Sequence, residues 1–343
     1  MYNFKNDYSV GAHPNILTKL VETNLVPQLG YGDDDYSKEA RNLLKQKINN
    51  TDAEIFFLSG GTQTNLILIS FLLRVHEAVI SAKTGHISAN ETGAIEATGH
   101  KVITVETKDG KLNPNNIEDV LQEYSLKPHV VKPRMVFISN STEIGTVYTK
   151  TELVKLSDFC KSNELLLYLD GARLGHGLTA TNSDLMLSDI AKLTDVFYIG
   201  ATKNGALLGE AIIFNKPTLS IEFEFALKQK GAMLAKGRLL AIQFLELFKD
   251  DLYFVLAKHA NVMAMKIVDA VKENGYLFLT NSTTNQIFPI LPNVVIEKLS
   301  KKYLFYVWKK IDDNQSAIRI ITSWATEENQ VNEFINDIKT TNR

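Results

Sequence analysis

Three polar segments of the sequence each directly follow an apolar run, and together they carry the groups for one kind of cofactor chemistry. Lys203 lies in a glycine-flanked turn behind the run 197–199 and supplies an amine. Asp170 ends a second run, and the glycine-rich turn 59–65 follows a third and opens a predicted helix. Pyridoxal 5'-phosphate needs an amine for its Schiff base, an acid for its ring nitrogen and a helix N-terminus for its phosphate. The sequence therefore predicts a site for this cofactor.

Each of these segments also has a purely structural interpretation. A lysine in a turn is usually a solvated surface residue, and an aspartate at a strand end often caps a helix. The surroundings of Lys203 favour the functional interpretation, because Gly200, Ala201 and Gly205 are small enough to let a flat cofactor approach the backbone. A partly desolvated amine also loses its proton more readily, as a Schiff base requires.

The elements that must position these groups follow from hydrophobic periodicity. Short apolar runs alternate with helical patterns from about residue 54 to residue 214, which predicts an α/β fold with helices on both faces of a mostly parallel sheet. Functional groups should then collect at the carboxyl ends of the strands, where Ser59, Asp170 and Gly200 fall. Strands are predicted at 54–58, 78–81, 101–105, 135–138, 165–169, 196–199 and 210–214, and helices at 63–75, 115–124 and 150–163.

The pattern changes after residue 214. Residues 218–275 read as long helices, interrupted at Gly231 and Gly237, and short strands and helices then alternate at 286–291, 294–301, 317–322 and 327–339. A chain of 343 residues is also long for one core. We therefore predict an N-terminal arm over 1–15, a large cofactor-binding domain over 16–245 and a smaller C-terminal α+β domain over 246–343.

Composition excludes several classes of partner. The net charge of −2 gives no long-range attraction to nucleic acid or to an anionic membrane. The single Cys160 forms no internal disulfide, which fits a reducing compartment. The first residues lack the apolar region of a signal peptide, and the longest apolar stretch, 66–73, is far shorter than the roughly 20 residues of a membrane span. We expect a cytoplasmic protein without a nucleic-acid partner, a membrane partner or a metal.

The most specific short motif is Asp170-Gly171-Ala172-Arg173. With the turns around Gly61 and Lys203, it makes the chain resemble, over essentially its whole length, the threonine aldolase and aromatic amino acid β-eliminating lyase family of pyridoxal-phosphate enzymes. The resemblance implies the transferase-like fold type I of these enzymes. It also implies a homodimer or homotetramer with active sites at the subunit interface, to which segment 32–36 and Lys236 contribute.

The same resemblance assigns roles around the cofactor ring. Lys203 is implied to form the Schiff base, and it is the natural base for a proton on Cα. Asp170 is implied to keep the ring nitrogen protonated. His86 is implied to stack on the ring and is a candidate to take a proton from a substrate β-hydroxyl, and Glu91 and Gly93 follow the family's pattern after it.

For the phosphate, the resemblance implies contacts from Gly61, Thr62 and Asn65. The family's arginine that reaches the phosphate is replaced here by Leu234. Lys236 and Arg238 are the two candidates for the missing positive charge.

For the substrate, the resemblance implies that Arg173 and Arg319 grip the α-carboxylate, since an arginine fork suits that planar anion. Asn6 stands where the family usually has a substrate-binding serine. Segment 139–146 departs from the family's asparagine-threonine-histidine pattern, which indicates a pocket shaped for another side chain.

Two reactions fit these residues. Aldol cleavage of a β-hydroxy L-amino acid would give glycine and an aldehyde, whereas β-elimination would expel a β-substituent, aromatic or other. A nucleotide-binding oxidoreductase is disfavoured because no G-x-G-x-x-G turn follows the first strand. A catalytically silent cofactor-binding regulatory protein is disfavoured by the presence of Lys203, Asp170 and Arg173. We predict the aldolase-like lyase and keep β-elimination as the alternative.

Overall fold

The computed structural model describes residues 1–341, whose strands form three sheets. The described strands are β1 (Tyr2–Asn3), β2 (Glu54–Leu58), β3 (Glu77–Ala82), β4 (Val102–Val105), β5 (Lys132–Ser139), β6 (Leu166–Asp170), β7 (Val196–Gly200), β8 (Glu210–Phe214), β9 (Leu277–Phe278), β10 (Gln286–Ile287), β11 (Pro289–Pro292), β12 (Tyr303–Leu304), β13 (Tyr306–Lys310) and β14 (Gln315–Ile321). The described α-helices are α1 (Pro14–Thr23), α2 (Asp35–Lys47), α3 (Gly61–Leu72), α4 (His86–Ala89), α5 (Pro114–Glu123), α6 (Lys150–Ser162), α7 (Leu174–Leu178), α8 (Leu187–Leu193), α9 (Phe223–Gln229), α10 (Arg238–Lys249), α11 (Leu252–Glu273), α12 (Asn293–Ser300) and α13 (Glu328–Thr341).

The largest sheet has seven strands in the order β2-β8-β7-β6-β5-β3-β4. Strand β8 runs antiparallel to both of its neighbours, and the other paired strands of this sheet are parallel. All seven strands predicted from apolar runs are present, with small shifts at their ends. The predicted mostly parallel α/β architecture is confirmed.

The core explains why these strands could be recognised. In β6, Leu167 and Leu169 pack into one buried cluster, and Tyr168 packs into a second cluster. Because successive side chains of a strand point to opposite faces, a strand covered by helices on both sides is apolar throughout. Polar side chains are then concentrated where strands end, and the site residues lie there.

The starts of the helices follow capping chemistry. Before α6, the Thr149 hydroxyl accepts the Glu152 backbone N–H at 3.2 Å, and the Glu152 carboxylate accepts the Thr149 N–H at 2.8 Å. Helix α3 differs, because Gly60 precedes it and no side chain caps it. The first N–H groups of α3 therefore have no helical partner. Among residues 1–341, no helix has the length and apolar composition needed to cross a membrane.

The C-terminal part packs around a second, smaller antiparallel sheet, in which β14 pairs with β10, β11 and β13. The N-terminal residues join this part: β1 pairs in parallel with β12, and Phe4 is completely buried against Phe334. The predicted strand 286–291 is divided into β10 and β11, and the helices predicted at 294–301 and 327–339 are α12 and α13. The residue boundaries of the predicted domains stay a prediction.

Candidate active site

A cavity of about 620 Å³ lies where β6 and β7 end, between the central sheet and strands β13 and β14. The fold brings most of the predicted site residues together here, although they are far apart in the chain. The predicted residues that line the cavity are Asn6, Gly61, Thr62, His86, Asp170, Arg173, Lys203 and Arg319. Asn65 is buried beside this wall, and Lys236 is exposed and lies outside it.

Asp170 is the last residue of β6 and lines the cavity, and hydrogen bonds hold its carboxylate in place. One oxygen, Oδ1, accepts the Tyr198 hydroxyl at 2.5 Å and the Ala172 N–H at 2.9 Å. The other, Oδ2, accepts the Asn65 side-chain amide at 3.2 Å. Three donors thus hold this buried carboxylate in one orientation. This arrangement suits a group that pairs with a positively charged ring nitrogen.

Asn65 connects Asp170 to His86. Its amide also donates to Glu91 Oε1 at 2.7 Å, and its carbonyl oxygen accepts the Tyr168 hydroxyl at 2.6 Å. The same Glu91 oxygen lies 2.8 Å from His86 Nδ1. The predicted phosphate contact of Asn65 stays a prediction, and in this chain its side chain is occupied in orienting both Asp170 and Glu91.

The turn that carries Lys203 is held on both sides. The Asn204 side chain donates to the Tyr253 carbonyl at 2.7 Å, and the Thr202 hydroxyl donates to Glu210 at 2.9 Å. Gly205 has φ +96°, and a Cβ there would come within 2.5 Å of a Leu256 methyl group, so this turn requires glycine. Lys203 itself is only partly exposed to the cavity. The segment therefore presents one lysine amine at a fixed position.

Electrostatics lowers the proton affinity of that amine. Burial lowers the pKa of Lys203, and the positive charge of Arg173 lowers it further, while Asp7, Asp170 and Glu210 oppose the change. A lowered pKa increases the fraction of neutral amine, which is the nucleophilic and basic form.

Arg173 is held by a residue that the sequence did not single out. Its Nε and Nη2 donate to the two oxygens of Asp7 at 2.7 and 3.0 Å, and Asn285 donates to Asp7 at 2.9 Å. Although burial opposes it, the Arg173 guanidinium holds the pKa of Asp7 well below its usual range. The N-terminal arm thus orients Arg173, whose remaining Nη1 has no hydrogen-bond partner among residues 1–341.

The Arg319 guanidinium on β14 has fewer polar partners than that of Arg173. Its guanidinium carbon lies 5.0 Å from the centre of the Tyr306 ring and 4.8 Å from that of Trp308. Its buried Nε has no hydrogen-bond partner among the described residues. Burial lowers the pKa of Arg319, and the charge of Arg173 adds to this effect. An anion in the cavity would relieve both the missing hydrogen bond and the repulsion between the two arginines.

The cavity contains a second buried carboxyl beside Lys203. Glu210 starts β8, and its Oε1 accepts the Thr202 hydroxyl. Its buried Oε2 has no hydrogen-bond partner within residues 1–341. Burial, with a further contribution from Asp170, raises the pKa of Glu210 to about 8, although Lys203 opposes the rise. Glu210 therefore tends to keep a proton near neutral pH.

The two candidates for the missing positive charge differ in their surroundings. The Arg238 guanidinium donates to the backbone carbonyls of Val26 and Asn24, after the end of α1. The Lys236 side chain is exposed and makes no hydrogen bond or ion pair with residues 1–341, whereas its backbone carbonyl accepts the Leu239 N–H at 3.1 Å. Leu234 lines a separate cavity of about 230 Å³ together with segment 31–33. Of the two, Lys236 is thus the one left free to reach another group.

Several cavity residues were not predicted to belong to the site. Tyr198, Glu210, Tyr306 and Trp308 line the cavity, and Asp7 lies behind it. Glu210 could have been predicted from the sequence, because a lone acidic residue at the start of a buried apolar strand must have a polar partner or keep a proton. The other four have no local pattern that separates them from ordinary core or surface residues.

The described side chains fit pyridoxal phosphate. The amine of Lys203 and the carboxylate of Asp170 line one space, and the uncapped start of α3 lies in its wall. A Cβ at Gly60 would meet nothing within 4 Å, so the loop leaves room beside the free N–H groups of α3. Such a helix start binds phosphate because its N–H groups and dipole favour negative charge.

Comparison with known proteins agrees with this geometry. A family model described as beta-eliminating lyase matches residues 24–292. A low specificity L-threonine aldolase of Pseudomonas aeruginosa is 31% identical over 341 residues, which cover 98% of this chain and 96% of the relative. A threonine aldolase structure from Leishmania major has a TM-score of 0.98 and 46% identity, with both chains covered in full. An aspartate aminotransferase structure from Thermus thermophilus, at 12% identity and TM-score 0.72 over 99% of this chain and 91% of that one, shares the fold alone.

Proposed function

The chain belongs to the beta-eliminating lyase family of pyridoxal-phosphate enzymes, and from this premise we propose that it is a lyase of the threonine aldolase type. It breaks the Cα–Cβ bond of a β-hydroxy L-amino acid and releases glycine and an aldehyde. The main observation in support of this proposal is that Lys203, Asp170 and Arg319 line one cavity. The chain also matches threonine aldolases over nearly its full length.

Pyridoxal 5'-phosphate would be held by Lys203, Asp170 and His86 and by N–H groups at Gly61 and Thr62. When bound, it supplies a protonated ring that accepts the electron pair left at Cα. Asp170, fixed by three donors, holds the proton at the ring nitrogen. Lys203, with its lowered pKa, is suited to give a proton to Cα or to remove one.

The substrate's α-carboxylate is bound by Arg319 and by the free Nη1 of Arg173, with Asn6 at the cavity wall. The two arginines contribute differently. Arg173 is already neutralised by Asp7, whereas Arg319 has an unpaired buried Nε. We therefore assign the larger part of carboxylate binding to Arg319. The Tyr306 and Trp308 rings contact its guanidinium and help to keep it in place until the anion arrives.

The assembly is a homodimer or homotetramer. Leu17, Val21 and Leu25 are 45, 77 and 90% exposed and recur every four residues along α1 and the segment after it. Such an apolar stripe suits contact with a second copy of the chain. Lys236, free in this chain, and segment 32–36 would reach the neighbouring site. A monomer that retains full activity at high dilution in a sizing experiment would contradict this arrangement.

The function is tested by incubating the purified protein and cofactor with L-threonine, L-allo-threonine, L-serine and L-tyrosine and identifying the products. Glycine with an aldehyde is the expected result. Ammonia with a keto acid, without glycine, would instead indicate β-elimination. Cofactor binding without any product would favour a regulatory protein that has lost activity.

A further inference from the structure

Two carboxyl groups of the cavity, Glu143 and Glu210, have no role in the scheme above, and Glu143 is the more exposed of the two. Glu143 follows β5, lines the cavity and is partly exposed to it. Its Oε1 accepts the Ser139 hydroxyl at 2.7 Å and the His86 backbone N–H at 2.9 Å. No other residue among residues 1–341 donates a hydrogen bond to its Oε2, and the backbone N–H of Glu143 itself stabilises the carboxylate. One oxygen is thus anchored, and the other is left for a group that enters the cavity.

The turn that carries Glu143 is rigid. The Gly145 N–H donates to the Thr142 carbonyl at 2.9 Å, and the Thr142 N–H donates to the Thr146 carbonyl at 2.9 Å. The Thr280 hydroxyl, before β10, donates to the Ile144 carbonyl at 2.8 Å. Hydrogen bonds within the turn and from the C-terminal part of the chain therefore hold this turn in place. A group that exchanges a proton with a bound substrate requires such a fixed position.

The charges around Glu143 suit a group that both takes and gives a proton. Asp170, His86, Arg173 and Tyr148 are the titratable groups that act on it or respond to it. Burial raises the pKa of Glu143, and the Asp170 carboxylate adds to the rise, while His86 opposes it. A carboxyl with a raised pKa exchanges protons closer to neutral pH than an ordinary glutamate, which is the property of an effective general base.

We propose that Glu143, and not the earlier candidate His86, is the catalytic residue that exchanges the proton of the substrate's β-hydroxyl. This inference rests on the aldol cleavage proposed above. The carboxylate takes the hydroxyl proton, the C–O bond becomes a carbonyl, and the Cα–Cβ bond breaks with its electron pair left on Cα. A second proton, delivered to Cα from Lys203, completes glycine. In the reverse direction Glu143 returns its proton to the new hydroxyl.

A purely structural role is the alternative, because Glu143 also anchors the start of α4 through the His86 N–H. Glu143→Gln separates the two roles: the amide oxygen still accepts the Ser139 hydroxyl and the His86 N–H, but the side chain no longer takes a proton. Glu143→Asp keeps the acid and moves it. Glu152→Gln, on the exposed side of α6, is a matched control in a different cavity.

The experiment compares two reactions of each variant loaded with cofactor: cleavage of L-threonine, and exchange of the Cα hydrogen of glycine with deuterated water. Glycine has no hydroxyl, so its exchange does not need Glu143. We expect Glu143→Gln to lose cleavage by roughly 10²–10⁴-fold and to retain exchange within a few fold. The rise of cleavage kcat/KM with pH, which follows deprotonation of Glu143, should disappear in this variant and remain in Glu152→Gln.

A readout without cofactor checks the same group. Difference infrared spectra of the apoprotein across pH should show a carboxyl band that titrates above the ordinary glutamate range in the wild type and is absent in Glu143→Gln. Near wild-type cleavage by Glu143→Gln, or equal loss of cleavage and exchange, would overturn the proposal while the aldolase function stands. A wild type that exchanges glycine but cleaves no β-hydroxy amino acid would overturn the proposed function, and the role of Glu143 with it.

Discussion

The two walls of the cavity are built on different principles. On the central sheet, Asp170 ends β6 and accepts three hydrogen bonds, and Lys203 follows β7 in a turn that hydrogen bonds of Thr202 and Asn204 hold in place. On the C-terminal sheet, Arg319 is flanked by Tyr306 and Trp308, which are 40 and 37% exposed. The first wall fixes reactive groups rigidly, and the second presents a cation and aromatic surface to an incoming molecule. We infer that chemistry belongs to the first wall and substrate capture to the second.

A similar contrast occurs within the first wall. Asp170 has three donors on its carboxylate, whereas Glu210 has one donor and an unpaired buried oxygen. Two carboxyl groups near the same lysine thus differ in how many hydrogen bonds they accept, and burial raises the pKa of Glu210.

The largest effect is expected from Lys203→Ala, on the chemical wall. It should abolish turnover and the visible absorption of the bound cofactor, because no other described lysine lines the cavity. The fold should survive, since the side chain faces a cavity and not a packed core. Absorption, activity and thermal unfolding should be measured beside Lys272→Ala, an exposed lysine of α11. Retained absorption in Lys203→Ala would remove this lysine from its role.

Asp170→Asn should be the next most severe change. The amide still accepts the Tyr198 hydroxyl and the Ala172 N–H, so the cofactor should remain bound. A neutral amide does not hold a proton on the ring nitrogen, and kcat should fall by roughly 10²–10³-fold. The measurement is the steady-state kcat of the variant, with its bound cofactor quantified by absorption. Rates close to the wild type would separate Asp170 from catalysis.

Arg319→Ala tests the capture wall. A charge-assisted contact is worth roughly 1.5–3 kcal/mol, so kcat/KM should fall by about one to two orders of magnitude. Cofactor absorption should not change, because Arg319 is assigned to the substrate alone. Arg319→Lys should recover only part of the loss, since lysine keeps the charge and lacks the planar fork. Normal amino acid binding by Arg319→Ala would assign carboxylate recognition to Arg173. It would contradict the inference that the wall on the C-terminal sheet captures the substrate.

Glu210→Gln should affect turnover least and pH-dependent stability most clearly. Because the pKa of Glu210 is raised from 4.5 to about 8 in the folded protein, its contribution to stability is complete below 4.5 and is lost as pH rises through about 8. The free energy of unfolding of the apoprotein should therefore fall less steeply across this range in Glu210→Gln. Denaturant titrations of both proteins measure the difference, and parallel pH profiles would show that Glu210 is ionised throughout.

Elements of this fold are predictable from the sequence where burial imposes a local pattern. Strands such as β6 are covered on both faces and therefore read as apolar runs, and Lys203 and Asp170 stand at the ends of two of them. Strand β13 was not predicted because all five of its residues are exposed and two are lysines. The pairing of Asp7 with Arg173 was not predictable either, because the fold alone brings such distant residues together. The proton affinity of Glu210 depends on neighbours that only the packed structure supplies.

The attachment of the N-terminal arm has a consequence for the timing of biosynthesis. Residues 2–3 pair with residues 303–304, and Asp7 accepts a hydrogen bond from Asn285. These early residues leave the ribosome long before their partners exist. A nascent chain that has finished the central sheet still lacks the anchor of Arg173 and exposes Phe4, which is completely buried in the finished protein. Lys203 therefore acquires its full surroundings only after nearly the whole chain has been translated.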